Sequence, residues 1–338
     1  MSEYVRLVVD KLVNGKRPAP EEISTAFEAI LAGDSTPELI AAFLVSLRMR
    51  GETVDDIVAG ASVMRRHARR VNAPAHAIDT CGTGGLNWVS LNTSTAAALV
   101  AAGAGAIVAK HGNRSVPPKV GSGDVLEALG VNLAPSDAQL EASFREAGVA
   151  FMFAPAHHSA MKHVAPVRKA LGIRTIFNLL GPLANPAGAK RQVLGVFAPE
   201  WLEPYAQALS SLGTERAWVV HGRDGLDEIS TVGTTLVAEL KDGEVRMFEL
   251  SPEEMGVTRR TVDQLRGGTV KENAEALRRV LAGEPSPFAD LVMVNAAAAL
   301  VVADIAPDMK SGIEAARSSI LMGKAIAALD ALRRATNA

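Results

Sequence analysis

The spacing of apolar residues in the first part of the chain is helical throughout. The segment STPELIAAFLVSLRMRG, residues 35–51, has Ser35 as a predicted N-cap, Glu38 closing a capping box and Gly51 beyond the helix end. Strand-like alternation is absent from this part of the sequence. We therefore predict a separate all-helical N-terminal domain over residues 1–70.

From residue 77 onward, short apolar strands alternate with helices. The predicted strands include AIDTC, AIVAKHGN, VAFMFAP, QVLGVF and RAWVVHG. This alternation predicts an α/β domain over residues 71–338, with a mainly parallel central sheet flanked by helices. Asp242-Gly243 between two alternating segments predicts a hairpin. Because Pro166 interrupts a helical pattern, we expect a break there, with part of 160–185 joining the helical domain.

Composition narrows the class of protein. The chain has 338 residues and a formal net charge of −2, so no global basic field attracts nucleic acid or a membrane surface. The single cysteine, Cys81, fits a reducing compartment, and the first residues lack the apolar core of a secretory signal. The longest apolar stretch, 288–306, carries Asp290, Asn295 and Asp304, which favours a buried helix over a membrane span. We expect a cytoplasmic protein.

The segment DTCGTGGLNWVSLNTST, residues 79–95, is the first candidate for ligand binding. Gly82, Gly84 and Gly85 lie between a predicted strand and a predicted helix, where backbone N–H groups converge on an anion. Short polar side chains at the helix entry add further donors. A plain glycine turn followed by a helix cap is the alternative interpretation.

The segment KHGNRSVPPKVGSGD, residues 110–124, follows the next strand. Lys110 is a point charge suited to phosphate, and Asn113 offers both a donor and an acceptor. Consecutive strand-end loops of a parallel sheet lie on the same edge, so the two loops suggest one substrate with two phosphate groups. A solvated charged loop is the alternative.

Two later segments carry complementary chemistry. HGRDGLDEIST, residues 221–231, contains Asp227 and Glu228, which are hard oxygen ligands suited to Mg²⁺ unless they are simply solvated. Residues 157–186 contain Arg168, a residue that holds carboxylates in bidentate fashion. Three histidines nearby lack a zinc pattern, which favours packing or hydrogen bonding for His157, His158 and His163.

Taken in order, the four segments resemble the anthranilate phosphoribosyltransferases of tryptophan biosynthesis, over essentially the whole chain. The resemblance implies transfer of the phosphoribosyl group of phosphoribosyl pyrophosphate (PRPP) to the amine of anthranilate, with Mg²⁺ as the cofactor. It also implies a homodimer formed through the helical domain, and it suggests anthranilate synthase as a candidate partner. Pyrimidine nucleoside phosphorylases share the loop pattern more weakly and remain an alternative.

The resemblance also implies roles for individual residues. The PRPP-binding set is Gly82, Thr83, Gly84, Gly85, Leu86, Ser90, Asn92, Thr93, Ser94, Thr95, Lys110, His111, Gly112, Asn113, Pro118 and Ser122. The anthranilate-binding set is Gly82, Asn113, His158 and Arg168, and the metal-binding set is Ser94, Asp227 and Glu228. No general base is implied, because a neutral aryl amine needs no strong base before it attacks.

The chain departs from the family pattern mainly in the two phosphate loops. Leu86 stands where the family usually has aspartate, and Pro117 and Pro118 stand where it usually has serines. Proline removes a hydroxyl and a backbone donor. Weaker PRPP binding, a different mode of holding the donor, a different donor and neutral drift all remain open.

A local basic cluster supports a further alternative of another class. Arg65, Arg66, Arg69 and Arg70 follow one another closely, as in a non-catalytic relative that binds nucleic acid. The net charge argues against this function, and arginines at a helix C-terminus are commonly just solvated.

Overall fold

The computed structural model describes residues 2–84, 90–115 and 119–338. The N-terminal helices are α1 (Ser2–Val13), α2 (Pro20–Leu31), α3 (Pro37–Arg50) and α4 (Val54–His67). The N-cap predicted for α3 is wrong by one residue, because Thr36, not Ser35, accepts the hydrogen bond from the Leu39 N–H, at 3.4 Å. Pro37 has the backbone angle of the first helical position, so the cap must be the residue before it.

A seven-stranded sheet forms the centre of the rest of the chain. Its strands are β1 (Ile78–Gly82), β2 (Val108–Gly112), β3 (Val149–Phe153), β4 (Arg191–Gly195), β5 (Arg216–Gly222), β6 (Thr235–Lys241) and β7 (Glu244–Leu250). The order is β3-β2-β1-β4-β5-β6-β7, parallel from β3 to β5 and antiparallel from β5 to β7. The hairpin prediction is confirmed: Asp242 and Gly243 have φ of 52° and 81°.

Helices cover both faces of this sheet. They are α5 (Thr93–Gly103), α6 (Ser122–Ala128), α7 (Asp137–Ala147), α8 (Ala154–His157), α9 (Ala165–Leu171), α10 (Phe177–Leu180), α11 (Leu202–Ser211), α12 (Val270–Leu281), α13 (Pro287–Val302), α14 (Met309–Leu321) and α15 (Lys324–Asn337). Helices α5 and α12–α15 build the core on one face, and α11 packs on the other. The stretch 288–306, predicted to be a buried helix, forms the buried helix α13 as far as Val302, and the exposed Asp304 lies beyond its end. Within the described residues, no helix combines the length and apolarity needed to cross a membrane.

The N-terminal helices share their core with segments from the middle of the chain. The Phe27 ring meets the rings of Phe43 and Phe177 edge to face, at centroid distances of 5.2 and 5.8 Å. A Cβ at Gly60 of α4 would lie 2.7 Å from the Leu180 side chain, so α4 and α10 are in close contact. This packing brings residues 164–184 against the helices and next to the carboxyl ends of the strands.

Candidate active site

A polar cavity of about 330 Å³ opens at the carboxyl ends of β1 and β2. The predicted residues that line it are Gly82, Thr83, Gly84, Ser90, Asn92, Ser94, Thr95, Lys110, His111, Gly112, Asn113, Ser122, Asp227 and Glu228. Thr93 does not line the cavity, because it is buried at the start of α5. Gly85, Leu86, Pro117 and Pro118 lie outside the described residues. Two loops that are well separated in sequence thus share one wall, as expected for a parallel sheet.

Lys110 supplies a buried cation at this wall. Lys110 belongs to β2 and not to the loop that follows. Its Nζ donates to the Thr80 carbonyl at 2.5 Å and to the Ser94 hydroxyl at 3.2 Å. Burial lowers the pKa of Lys110, and the charge of Asp79 opposes that shift. The lysine is therefore held in one position before any substrate arrives.

The acid pair faces Lys110 across the cavity. Asp227 Oδ2 accepts from the Gly84 N–H at 2.8 Å, and Glu228 Oε1 accepts from the Ser94 N–H at 3.2 Å. Glu228 Oε2 is buried, and no described residue meets hydrogen-bond geometry with it, although the nearby Thr93 hydroxyl acts to lower the pKa of Glu228. Burial raises the pKa of Glu228 to about 8, and the neighbouring Asp227 adds to that shift. Two adjacent buried carboxyl groups of this kind fit a cation between them.

The donor set suits magnesium rather than zinc. In the described ranges no group of three or more His, Cys, Asp and Glu side chains is close enough to hold an ion. Two carboxylates and the Ser94 hydroxyl fill half of the octahedral positions of Mg²⁺ and leave the others to water and to ligand oxygens, as is usual for Mg²⁺ at phosphate sites. The free oxygen of Glu228 is a ready ligand.

A second, more apolar cavity of about 720 Å³ lies between the sheet edge and α9–α10. All four residues predicted to bind anthranilate line it: Gly82, Asn113, His158 and Arg168. The Arg168 guanidinium lies 5.8 Å from the centroid of the Phe177 ring, and in the described part of the chain no carboxylate pairs with it. Burial lowers the pKa of Arg168. A half-buried guanidinium without a counter-ion favours an anionic ligand.

Two histidines in this cavity are neutral. Burial lowers the pKa of His111 to about 3 and that of His158 to about 4, with neighbouring histidines adding to both shifts. Their rings lie 5.1 Å apart. The predicted hydrogen-bonding role is confirmed for His157, whose Nδ1 lies 3.0 Å from the Arg69 carbonyl oxygen. The histidines thus add ring surface to the apolar cavity but no positive charge.

The two cavities share part of their lining. The common residues are Cys81, Gly82, Thr83, His111, Gly112 and Asn113. Glycines at both strand ends keep this wall thin, since a Cβ at Gly112 would lie 2.2 Å from the Ser122 hydroxyl oxygen. A ligand in the polar cavity and a ligand in the apolar cavity would therefore meet at the ends of β1 and β2.

Sequence reasoning missed several buried groups that hold these loops. Asp79 accepts from the His111 N–H at 3.1 Å and from the Asn185 side chain at 2.8 Å. Asn273 of α12 donates to the Asn92 side chain at 3.0 Å. An aspartate inside an apolar strand was the available signal for Asp79, whereas nothing local marks Asn273.

The arginines considered for nucleic acid are largely engaged within the protein. Arg65 donates to the carbonyls of Leu183 and Leu212 at 2.7 and 3.0 Å, while Arg66 pairs with Glu28 and Arg69 pairs with Asp137. These contacts tie α4 to the segments around it. They give Arg65, Arg66 and Arg69 a structural role.

Comparison with known proteins identifies the class. A family model described as "Glycosyl transferase family, helical bundle domain" matches residues 6–68, and one described as "Glycosyl transferase family, a/b domain" matches residues 74–326. The fold and the site thus define a glycosyl transferase with a helical bundle and an α/β domain.

The relatives identify the family within that class. Anthranilate phosphoribosyltransferase of Parvibaculum lavamentivorans is 52% identical over 98% of this chain and 97% of its own length, and that of Azorhizobium caulinodans is 51% identical over 99% and 98%. The structure of the Thermus thermophilus enzyme matches with a TM-score of 0.92 at 43% identity, over 98% of this chain and 99% of that one. The Saccharomyces cerevisiae enzyme in complex with PRPP and Mg matches with a TM-score of 0.90 at 28% identity, over 100% and 99%. The chain belongs to the anthranilate phosphoribosyltransferase family.

Proposed function

We propose that the protein transfers the phosphoribosyl group of PRPP to anthranilate, giving N-(5-phosphoribosyl)anthranilate and pyrophosphate in tryptophan biosynthesis. The observation that carries this function is the pair of cavities meeting at Gly82 and Asn113. One is polar and lined by phosphate-binding loops, and the other is apolar with an arginine that lacks a counter-ion. A charged sugar donor and an aromatic carboxylate acceptor match these two environments.

The donor side is built to hold a highly charged leaving group. The start of α5 and the ammonium of Lys110 place positive charge beside the polar cavity. In the described part of the glycine loop, the Thr83 N–H donates to the Gly195 carbonyl and the Gly84 N–H donates to Asp227. Because the pyrophosphate gains charge as its bond to C1 breaks, the start of α5 and Lys110 stabilise the transition state more than the ground state. We assign the donor side to the predicted PRPP-binding residues that line this cavity.

We assign the metal site to Ser94, Asp227 and Glu228. Bound there, Mg²⁺ would neutralise charge on the phosphate oxygens of the donor. The buried, unpaired oxygen of Glu228 and its raised pKa support this assignment, since both features are relieved by a cation. The acids themselves neither accept nor deliver a proton in the reaction.

The acceptor side orients the amine. Arg168 would hold the anthranilate carboxylate, and Asn113 would face the amine at the shared wall. The amine nitrogen forms a bond with C1, the bond between C1 and the pyrophosphate oxygen breaks, and the nitrogen then releases a proton to solvent or pyrophosphate. Positioning of two bound substrates therefore supplies much of the rate enhancement.

A turnover assay tests this function. With Mg²⁺ and PRPP, the protein should consume anthranilate, measured as loss of anthranilate fluorescence, and should release one pyrophosphate per acceptor. Folded protein without turnover at millimolar PRPP would contradict the proposal. Cleavage of a pyrimidine nucleoside with inorganic phosphate would instead favour the phosphorylase alternative.

We further propose the organisation around this activity. The helical domain would comprise residues 1–70 with part of 160–185, and residues 71–338 would form the transfer domain. A homodimer through the helical domain is supported by exposed apolar side chains on its surface, namely Tyr4, Leu7 and Met49. The free thiol of Cys81 is consistent with the cytoplasm, where anthranilate synthase is a candidate partner.

A further inference from the structure

Asn295 lies in the middle of the apolar helix α13. Its neighbours in the sequence are valine, methionine and a run of alanines, and only 6% of its surface is exposed. Burying a primary amide costs free energy unless its donors and acceptor are hydrogen-bonded. The position of this side chain therefore calls for a specific set of partners.

Those partners lie in the loop that carries the acid pair. Asn295 Oδ1 accepts from the Ile229 N–H at 2.9 Å, and Asn295 Nδ2 donates to the Ile229 carbonyl at 2.8 Å. The same Nδ2 also donates to the Leu291 carbonyl at 2.9 Å. The amide thus satisfies both backbone groups of Ile229, as a neighbouring strand would. Leucine could satisfy neither group.

Ile229 directly follows the two acids, which are confined from the other side as well. A Cβ at Gly195 would lie 1.6 Å from the Asp227 carbonyl oxygen, and a Cβ at Gly82 would lie 2.8 Å from Asp227 Oδ2. The space lined by the acids and by Asn295 is about 10 Å³. A single water needs about 10–15 Å³, so this space holds at most one water and leaves the loop little room to shift.

We infer that Asn295 is a positioning residue that holds Asp227 and Glu228 in the geometry that receives a divalent cation. The inference rests on the proposed role of the acids as the metal site. Because the Asn295 amide binds the backbone of Ile229, the two carboxylates before it are held in place before the metal and the donor arrive. Removing a group that orients the metal ligands without binding the metal itself commonly lowers metal affinity.

Binding of the Mn²⁺–PRPP complex tests this inference without turnover. Protein is titrated into the complex, and the enhancement of water proton relaxation reports binding. Asn295→Leu should weaken binding about 10–100-fold, the range typical of such groups. The KM for anthranilate should stay within about twofold, because the acceptor cavity does not include Asn295.

A matched control separates positioning from general destabilisation. Ser319 of α14 is also buried, and it donates to the Val100 carbonyl at 2.8 Å, away from both cavities. Ser319→Ala should bind Mn²⁺–PRPP like the unaltered protein. Wild-type affinity in folded Asn295→Leu, or an equal loss in Ser319→Ala, overturns the inference. If Asn295→Leu does not fold, Asn295→Ala is judged by the same criteria.

The unaltered protein gives a second test. Amide exchange in a peptide covering residues 226–232 should already be slow without ligand, and adding Mn²⁺–PRPP should leave it nearly unchanged. Fast exchange that slows only on binding would overturn the inference, since the loop would then be ordered by the ligand. Failure of the unaltered protein to bind Mn²⁺–PRPP would contradict the proposed function itself, and this inference with it.

Discussion

Replacement of Arg168 should impair acceptor binding selectively. The guanidinium is half-buried beside Phe177 and has no carboxylate partner among the described residues, so the anthranilate carboxylate would be its counter-ion. A hydrogen bond to a charged group contributes about 1.5–3 kcal/mol, and about 1.4 kcal/mol corresponds to tenfold in affinity. Arg168→Ala should therefore raise the KM for anthranilate about 10–150-fold while changing the KM for PRPP little.

Two further variants sharpen this prediction. Arg168→Lys keeps the charge but loses the planar donor pair, so its KM for anthranilate should lie between those of the unaltered protein and Arg168→Ala. Lys169→Ala removes an exposed cation from the next position of α9 and should leave both KM values unchanged.

The acceptor itself provides another control for the role of Arg168. With 2-aminobenzamide, which lacks the carboxylate, the difference between the unaltered protein and Arg168→Ala should shrink. The assay is the initial rate of fluorescence loss across a range of anthranilate concentrations. A wild-type KM for anthranilate in folded Arg168→Ala would refute the assignment of Arg168 to the carboxylate.

Three other predictions concern the donor loops, the acid pair and the assembly. Leu86→Asp combined with Pro117→Ser and Pro118→Ser should lower the KM for PRPP about tenfold or more, with little change in the KM for anthranilate. An unaltered KM for PRPP would mean that the departures are neutral or that the loops already hold the donor through backbone groups. In metal-free protein Glu228 keeps a proton up to a pKa of about 8, whereas the unfolded chain loses it near 4.5, so thermal stability should fall as pH rises between these values. In melting curves recorded with EDTA, Glu228→Gln should not show this fall in stability. A melting temperature that falls with pH as steeply in Glu228→Gln as in the unaltered protein would contradict the raised pKa of Glu228. Light scattering should give twice the chain mass of 35.4 kDa, and Met49→Glu should shift the protein towards monomer; a monomeric parent protein would contradict the proposed dimer.

Much of the fold could be predicted because local signals agree with it. Apolar strands and intervening helices predicted the parallel sheet, and Asp242-Gly243 predicted the hairpin, since both depend on short-range conformational preferences. The cap of α3 was missed by one residue because serine and threonine stand side by side, and only the position of Pro37 distinguishes them. The antiparallel strands β6 and β7, of which β7 forms one edge of the sheet, follow from the same hairpin.

The candidate site was predictable where residues able to bind a ligand directly follow a predicted strand, as Asp227 and Glu228 do. Supporting residues such as Asn295 and Asn273 were not, because they reach the loops from helices about 65 and 180 residues away in sequence. Asn295 appeared in the sequence only as an unusual polar residue in an apolar helix. Its function depends on tertiary contacts that periodicity does not encode.

A crystal structure with Mn²⁺, PRPP and 4-fluoroanthranilate tests the central claim most directly. The claim is that donor and acceptor occupy two cavities that meet at Gly82 and Asn113. The account predicts an anomalous manganese peak beside Asp227 and Glu228, PRPP in the polar cavity, and the analogue's carboxylate facing Arg168. Manganese remote from both acids, or the analogue bound outside the apolar cavity, would contradict it.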